Sequence, residues 1–267
     1  MNLALFAHTW RANRLRLLIV TIALFLWGAL LPIVYDAFGE QFEQMMDSGL
    51  IPEELTNFGG GDVFSLTGSV ALGFVHPLAV GLCLVFALGF TVNAIAGELQ
   101  RGTLEVLLAR PISRRRVYGT LAIAAFLFVA VVVAGLALGT FAGSALTGRA
   151  AELGAGNLPL VWLNAFLLYG AIAAIGLAAS VSFDRLAPAI AISLAVVLVS
   201  YFLDVIGQLW PDAEPLQPFS LFHYLDPRSS LAGLPVWSDF AVLAGVIVVA
   251  VAYALVAFPR RDLAAPT

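Results

Sequence analysis

GELQRGTLEVLLARPISRRR, residues 97–116, is the most polar and most basic stretch of a chain that is otherwise largely apolar. Within it Leu104, Leu107 and Leu108 recur at i, i+3 and i+4, while Arg101, Glu105 and Arg110 fall on other faces and Pro111 ends the run. This spacing predicts a short amphipathic helix. Thr103 is placed to cap its start, and Glu105 in the first turn suits the helix dipole. A helix of about seven residues is well below the roughly 12 to 15 that persist alone in water. Something must therefore lie against its leucine face, either the bilayer surface or a partner protein.

Outward from this stretch the chain is membrane-like in both directions. Of its 267 residues, 61% are hydrophobic and 11% charged, with mean hydropathy +0.97. These values exclude an ordinary soluble fold and predict an all-α integral membrane protein. Apolar stretches near 15–35, 66–96, 117–147, 158–182, 186–206 and 240–258 are each long enough for a hydrocarbon core of about 30 Å, which takes roughly 20 helical residues. Six transmembrane helices are expected, forming a domain over 17–258. The second and third approach a length of about 45 Å at 1.5 Å per residue. They must tilt or project past the headgroups, and projection would carry 97–116 out of the bilayer. His76 before Pro77 predicts a local break in the second span.

Residues 1–16 have Leu3, Phe6, Ala7 and Trp10 at helical spacing, followed by Arg11, Arg14 and Arg16. We read them as an N-terminal interfacial amphipathic helix, with Trp10 and the three arginines at the membrane surface. The apolar run that follows is too long for the h-region of a signal peptide, and no A-x-A-like site follows it.

Arginine placement sets the expected orientation. With the N-terminus inside, Arg11, Arg14, Arg16, Arg101, Arg110, Arg114, Arg115, Arg116, Arg185, Arg260 and Arg261 are cytoplasmic, and only Arg149 and Arg228 are outside. Both termini, including the tail 259–267, are then cytoplasmic in a multi-pass protein of the cell membrane. Arg114 to Arg116 open the third span, where the helix dipole disfavours cations by about 0.3 to 1 kcal/mol. Attraction to anionic lipid, about 1 kcal/mol per arginine, outweighs that cost. Ser113 directly before them is a candidate N-cap. Of the two longer outer loops, 39–65 is acidic; Phe38 just before it and Phe42, Met45 and Met46 within it fall at helical spacing and, with the hinge at Gly59, Gly60 and Gly61, suggest a helix lying on the outer surface. The other, 207–239, is rich in proline and aromatics; it fits either short helices dipping into the outer leaflet or a plain loop with an aromatic belt.

Gly135, Gly139 and Gly143 repeat every four residues on one face of the third span, a small-residue stripe that lets helices approach closely, within one bundle or between two copies. The intramembrane polar groups are Asn93, Asn164, Ser180, Ser193 and Ser200, with Asp204 near the outer end of the fifth span. None forms an ion or proton pathway pattern, so any route would suit a hydrophobic or amphipathic cargo. The lone cysteine, Cys83, excludes a disulfide framework or thiolate metal cluster. His8, His76 and His223 are too dispersed for a shared metal. No nucleophile and base arrangement is present, and nothing suggests nucleic-acid binding. All thirteen basic residues are arginine. A phosphate-binding P-loop needs its lysine, so ATP-driven work would require another polypeptide.

The pattern E-x-x-R-G-T-L-E-x-L-L-x-x-P-I-S-R over 98–114, set between the second and third of six spans, resembles the cytoplasmic loop of type-2 ATP-binding-cassette (ABC) exporter permeases, of the type V exporter fold. The N-terminal amphipathic helix and the proline-aromatic run PFSLFHYLDP at 218–227 are similar too. The resemblance implies that the loop is a coupling helix seated on an ABC ATPase subunit. It implies that Glu98, Arg101, Gly102, Thr103, Leu104, Glu105, Leu107, Leu108, Pro111, Ser113 and Arg114 form that contact. Leu104, Leu107 and Leu108 would supply the apolar part, Glu105 and Arg101 the register, and Gly102 the break after the second span. ATP and Mg would be bound by the partner ATPase, with no cofactor in this chain. The permease would pair with a second copy or homologue, and its function would be ATP-driven export. Alternatives by composition are a secondary transporter, which would need intramembrane carboxylates or broken mid-membrane helices, and a non-transporting membrane scaffold.

Overall fold

The computed structural model describes residues 1–47, 65–104, 109 and 112–261. Among them there is no strand, and six helical stretches are long and apolar enough to cross a membrane: Leu3–Gly39, Leu66–Phe90, Arg114–Leu146, Ala155–Ser182, Leu186–Leu209 and Trp237–Arg260.

Helix α1 (Leu3–Asp47) is continuous over 45 residues, with Pro32 inside it and no break at Arg16. The Asn2 side chain accepts from the Leu5 N–H at 3.0 Å, satisfying one of the free donors of its first turn. The second span is interrupted. Ser65 caps α2 (Leu66–Val75) by accepting from Gly68 N–H, and the helix stops at His76, whose ψ is 138°. Proline disfavours the α conformation in the residue before it, so the break predicted at His76 and Pro77 is present. His76 Nδ1 then accepts from Leu78 N–H at 3.2 Å and caps α3 (Pro77–Leu84). Beyond α3 the backbone widens into two π-helical segments, Val85–Phe90 and Asn93–Gly97.

Ser113 caps α4 (Arg114–Leu146), and the chain continues through α5 (Leu158–Ser182), α6 (Leu186–Leu209) and α7 (Trp237–Arg260). The stripe Gly135, Gly139 and Gly143 faces α1. A Cβ on these glycines would overlap the backbone of Thr21, Phe25 and Ala29 respectively, and one on Gly28 would overlap the Leu136 carbonyl. The two longest helices therefore touch backbone to backbone, a spacing that only absent side chains permit. Toward their arginine-rich end, Phe128 of α4 anchors an aromatic cluster, its ring 5.7 Å from Trp10 and 5.2 Å from both Phe86 and Phe90. By contrast α6 and α7 present apolar residues outward, including Phe202, Val199, Val248 and Val249.

At the end of the bundle away from 97–116, the chain after α6 forms 3₁₀ turns at Pro211–Phe219 and Phe222–Tyr224 and a short helix, Pro227–Leu231. The intramembrane asparagine of α5 pins this run. Asn164 donates to the Tyr224 carbonyl at 2.9 Å and accepts from Asp226 N–H at 2.8 Å. Ser220 donates to the Ser200 carbonyl at 2.6 Å, and Asn157 donates to that of Leu231 at 2.9 Å. Asn164 is thus consumed in structure rather than presented to a passage. Arg149, at the same end, reaches back from the turn after α4 to Asp36 of α1 at 2.8 Å.

Candidate coupling site at the root of residues 97–116

The second span closes on a final turn, Glu98–Gln100. Gly102 has φ +71°, a left-handed conformation that ends the helix and that a side chain would disfavour. Around this stop, the Glu98 carboxylate accepts from Arg101 at 2.5 Å and from the Thr103 hydroxyl, which also donates to the Glu98 carbonyl at 3.1 Å. Burial alone would raise the Glu98 pKa. The hydrogen bonds from Thr103 and Arg101, with the charge of Arg101, favour the ionised form and hold it below the ordinary glutamate value. Leu104 turns inward and is 1% exposed within the core of the chain itself. Glu105, Leu107, Leu108 and Pro111 lie outside the described residues.

Three contacts connect this root to the rest of the bundle. Gln100 Oε1 accepts from the Leu186 N–H at 2.9 Å, so the end of the second span caps the start of α6. At the other margin, Arg114 donates to the carbonyls of Arg261 at 2.5 Å and Phe258 at 3.4 Å, satisfying the C-terminal carbonyls of α7. Arg261 in turn donates to the Val181 carbonyl at 2.5 Å and pairs with Asp184, capping α5. Cations at helix C-termini also complement the dipole. Deeper in, the Ser180 hydroxyl of α5 accepts from the N–H groups of Ile95 at 3.0 Å and Ala96 at 2.9 Å and donates to the Val92 carbonyl at 2.9 Å. A π-helical turn displaces the usual ladder partners, and here one serine on a neighbouring helix replaces them. The margins of 97–116 are therefore bonded to the ends of α6 and α7, and through Arg261 to the end of α5.

Comparison with known families decides the identity. The model of the ABC-2 family transporter proteins matches residues 9–263, nearly the whole chain. The chain belongs to the ABC-2 transporter family. It is a multi-pass membrane permease subunit, and the family implies ABC ATPase partners and oligomerisation in general. No curated protein and no solved structure matches the chain.

Elsewhere in the permease, the N-terminal residues singled out from sequence have different surroundings. Trp10 is half-buried, stacked 6.5 Å from Phe6 and packed on Phe128. Arg11 and Arg14 are exposed. Arg16 is exposed as well, but it reaches across to the second span. Its Nη2 donates to the Val85 carbonyl at 2.6 Å, and its guanidinium lies 4.9 Å from the centre of the Phe86 ring. Between the first turns of α1 and the root of 97–116 is a cavity of about 580 Å³, bordered by Arg16, Asn93, Glu98 and Arg101. Among the described residues no group of three His, Cys, Asp or Glu is placed to hold a metal.

Three residues that bond this region together escaped sequence reading. Ser180 was visible only as an intramembrane hydroxyl, and Arg261 only as a positive charge. Gln100 gave a single cue, a polar side chain next to the helix-ending Arg101–Gly102 pair.

Proposed function

We propose that this permease carries out ATP-driven export, with residues 97–116 and both termini in the cytoplasm. Separate ATPase subunits hold ATP and Mg, seat against the 97–116 loop, and drive a permease pair made of two copies or of this chain and a homologue. The observation that carries this reading is the bonding of the loop root to three other spans through Gln100, Arg114 and Arg261. A push on the loop is thereby delivered to α5, α6 and α7 together rather than lost in a flexible hinge. Leu104 acts as the inward anchor, leaving Glu105, Leu107 and Leu108 to meet the ATPase. The cargo is hydrophobic or amphipathic, in keeping with intramembrane polar groups such as Asn164 and Ser180 that are spent on internal hydrogen bonds.

The test is reconstitution of the permease with its co-purifying ATPase in vesicles. Glu105→Arg is expected to weaken ATPase association or to separate ATP hydrolysis from transport while leaving the spans folded. Unchanged association and coupling would overturn the reading. Leu104→Asp is a poorer probe, because a buried carboxylate there would destabilise the bundle itself.

A further inference from the structure

The cavity beside α1 has the makings of a ligand site. On its wall, Arg16 is held by two fixed partners, the Val85 carbonyl at 2.6 Å and the face of Phe86 at 4.9 Å. A guanidinium carries five N–H donors in a rigid fork, and among the described residues only this one hydrogen bond and no ion pair engages it. The other arginine at the cavity, Arg101, is neutralised by Glu98 at 2.5 Å. The cavity therefore holds one uncompensated, oriented cation, accompanied by the amides of Asn13 and Asn93 and by His8.

The position of Arg16 along α1 selects the kind of anion. The turns before it carry the exposed Arg11 and Arg14, whereas around and beyond it Leu15, Leu18 and Ile19 are 67%, 56% and 59% exposed. Arg16 thus stands where a polar helix surface gives way to an apolar one. A ligand with its charge on Arg16 would lay its remainder past Leu15 and Ile19, which lie on the nearer side of the helix. That arrangement fits an amphiphile better than a free ion.

We propose that this cavity binds the phosphate-bearing headgroup of an anionic phospholipid, with Arg16 as the charge-recognising residue. The acyl chains leave the cavity past Leu15 and Ile19, the exposed apolar residues nearer to Arg16 round the helix, and the headgroup reaches toward Arg101. A bound lipid then touches both α1 and the root of the coupling loop. The site does not depend on the export reading and is tested without any ATPase.

The purified full-length permease in detergent is titrated with short-chain phosphatidylglycerol or phosphatidylcholine, and binding is read by native mass spectrometry. Phosphatidylglycerol is expected to bind in preference, with Arg16→Gln weakening it about tenfold, the scale of one charge-assisted contact, and Arg14→Gln, which lies off the cavity, weakening it far less. Ala12→Phe, which puts a ring at an exposed position on the cavity wall, is expected to lower binding while keeping Arg16 intact. Glycerol phosphate at matched concentration is expected not to compete. Equal losses in Arg14→Gln and Arg16→Gln would show general surface attraction and overturn the proposal. So would unchanged binding in both Arg16→Gln and Ala12→Phe. Displacement by glycerol phosphate would assign the cavity to a free phosphoester and overturn the lipid assignment.

Discussion

Ser180 and Ile95 lie 85 residues apart, yet the serine hydroxyl completes the backbone of the helix that contains Ile95, accepting its N–H at 3.0 Å. The same oxygen accepts from Ala96 and donates to Val92, so α5 supplies the bonds that the π-helical turn cannot make internally. Ser180→Ala strands two buried N–H groups, and we expect a loss of about 1 to 3 kcal/mol. Thermal unfolding in detergent checks this; an unchanged midpoint would mean that the turn re-forms an ordinary α-helix at no cost.

Gln100 performs a related task at the surface, capping α6 through Leu186. Gln100→Leu removes the acceptor and should cost about 1 kcal/mol, whereas Gln100→Glu keeps an acceptor and adds a charge that suits a helix N-terminus. In reconstituted vesicles the leucine variant is expected to hydrolyse ATP with reduced transport, and the glutamate variant to behave as wild type. Equal transport in all three would remove Gln100 from the coupling route.

Glycine substitutions on α4 should divide by position. At Gly139 a methyl group would overlap the Phe25 carbonyl, and neither backbone can withdraw without separating the helices. We expect Gly139→Ala to cost roughly 1 to 3 kcal/mol. At Gly119 of the same helix a methyl group would have open space around it, so Gly119→Ala should be neutral or stabilising by about 0.5 to 1 kcal/mol through the helix backbone. Paired melting curves decide the matter, and similar shifts in the two variants would contradict the packing described here.

The Glu98 cluster gives a pH dependence with a defined sign. Its folded pKa lies below the ordinary value of 4.5. Ionised Glu98 therefore contributes stability that is fully present above the ordinary value and is lost as pH falls through the depressed one. The difference in unfolding midpoint between wild type and Glu98→Gln should be constant at neutral pH and shrink in acid, below the ordinary glutamate value. A difference that grows in acid would reverse the assignment of Arg101 and Thr103 as partners of the charged form.

The parts of this fold that were readable in the sequence are those decided by local chemistry. Six apolar runs give six spans, proline forces the break after Val75, and Ser113 caps the helix it precedes. Gly135, Gly139 and Gly143 announce a close approach, but their partner depends on which face α1 presents, and periodicity within α4 carries no information about that. Composition changes at Arg16 while the backbone does not, because straight helix is the cheapest way to satisfy its N–H and C=O groups on both sides of an interface. The candidate site was legible as a motif and illegible as a network. The partners of Gln100 and Arg114 are backbone atoms at positions 186, 258 and 261, and backbone atoms leave no mark in the identity of a residue. The π-helical turns were hidden for the same reason, since their stabilising group sits on another span.

The glycine contact between α1 and α4 sits nearer one end of α4 than the other, with Gly139 at the middle of the contact. Counted along α4 at 1.5 Å per residue, about 37 Å separates Gly139 from Arg114 at the loop end, and about 10 Å separates it from Leu146, where the helix ends just before Arg149. If α4 rocks as a rigid rod on the Phe25 carbonyl, a sideways displacement imposed beside the loop emerges at the end of α4, next to the Arg149–Asp36 pair, reversed in direction and cut to roughly three tenths in amplitude. Force scales the other way. Under such a rocking the long arm would trade travel for thrust, and the end opposite 97–116 would make the smaller and stronger movement.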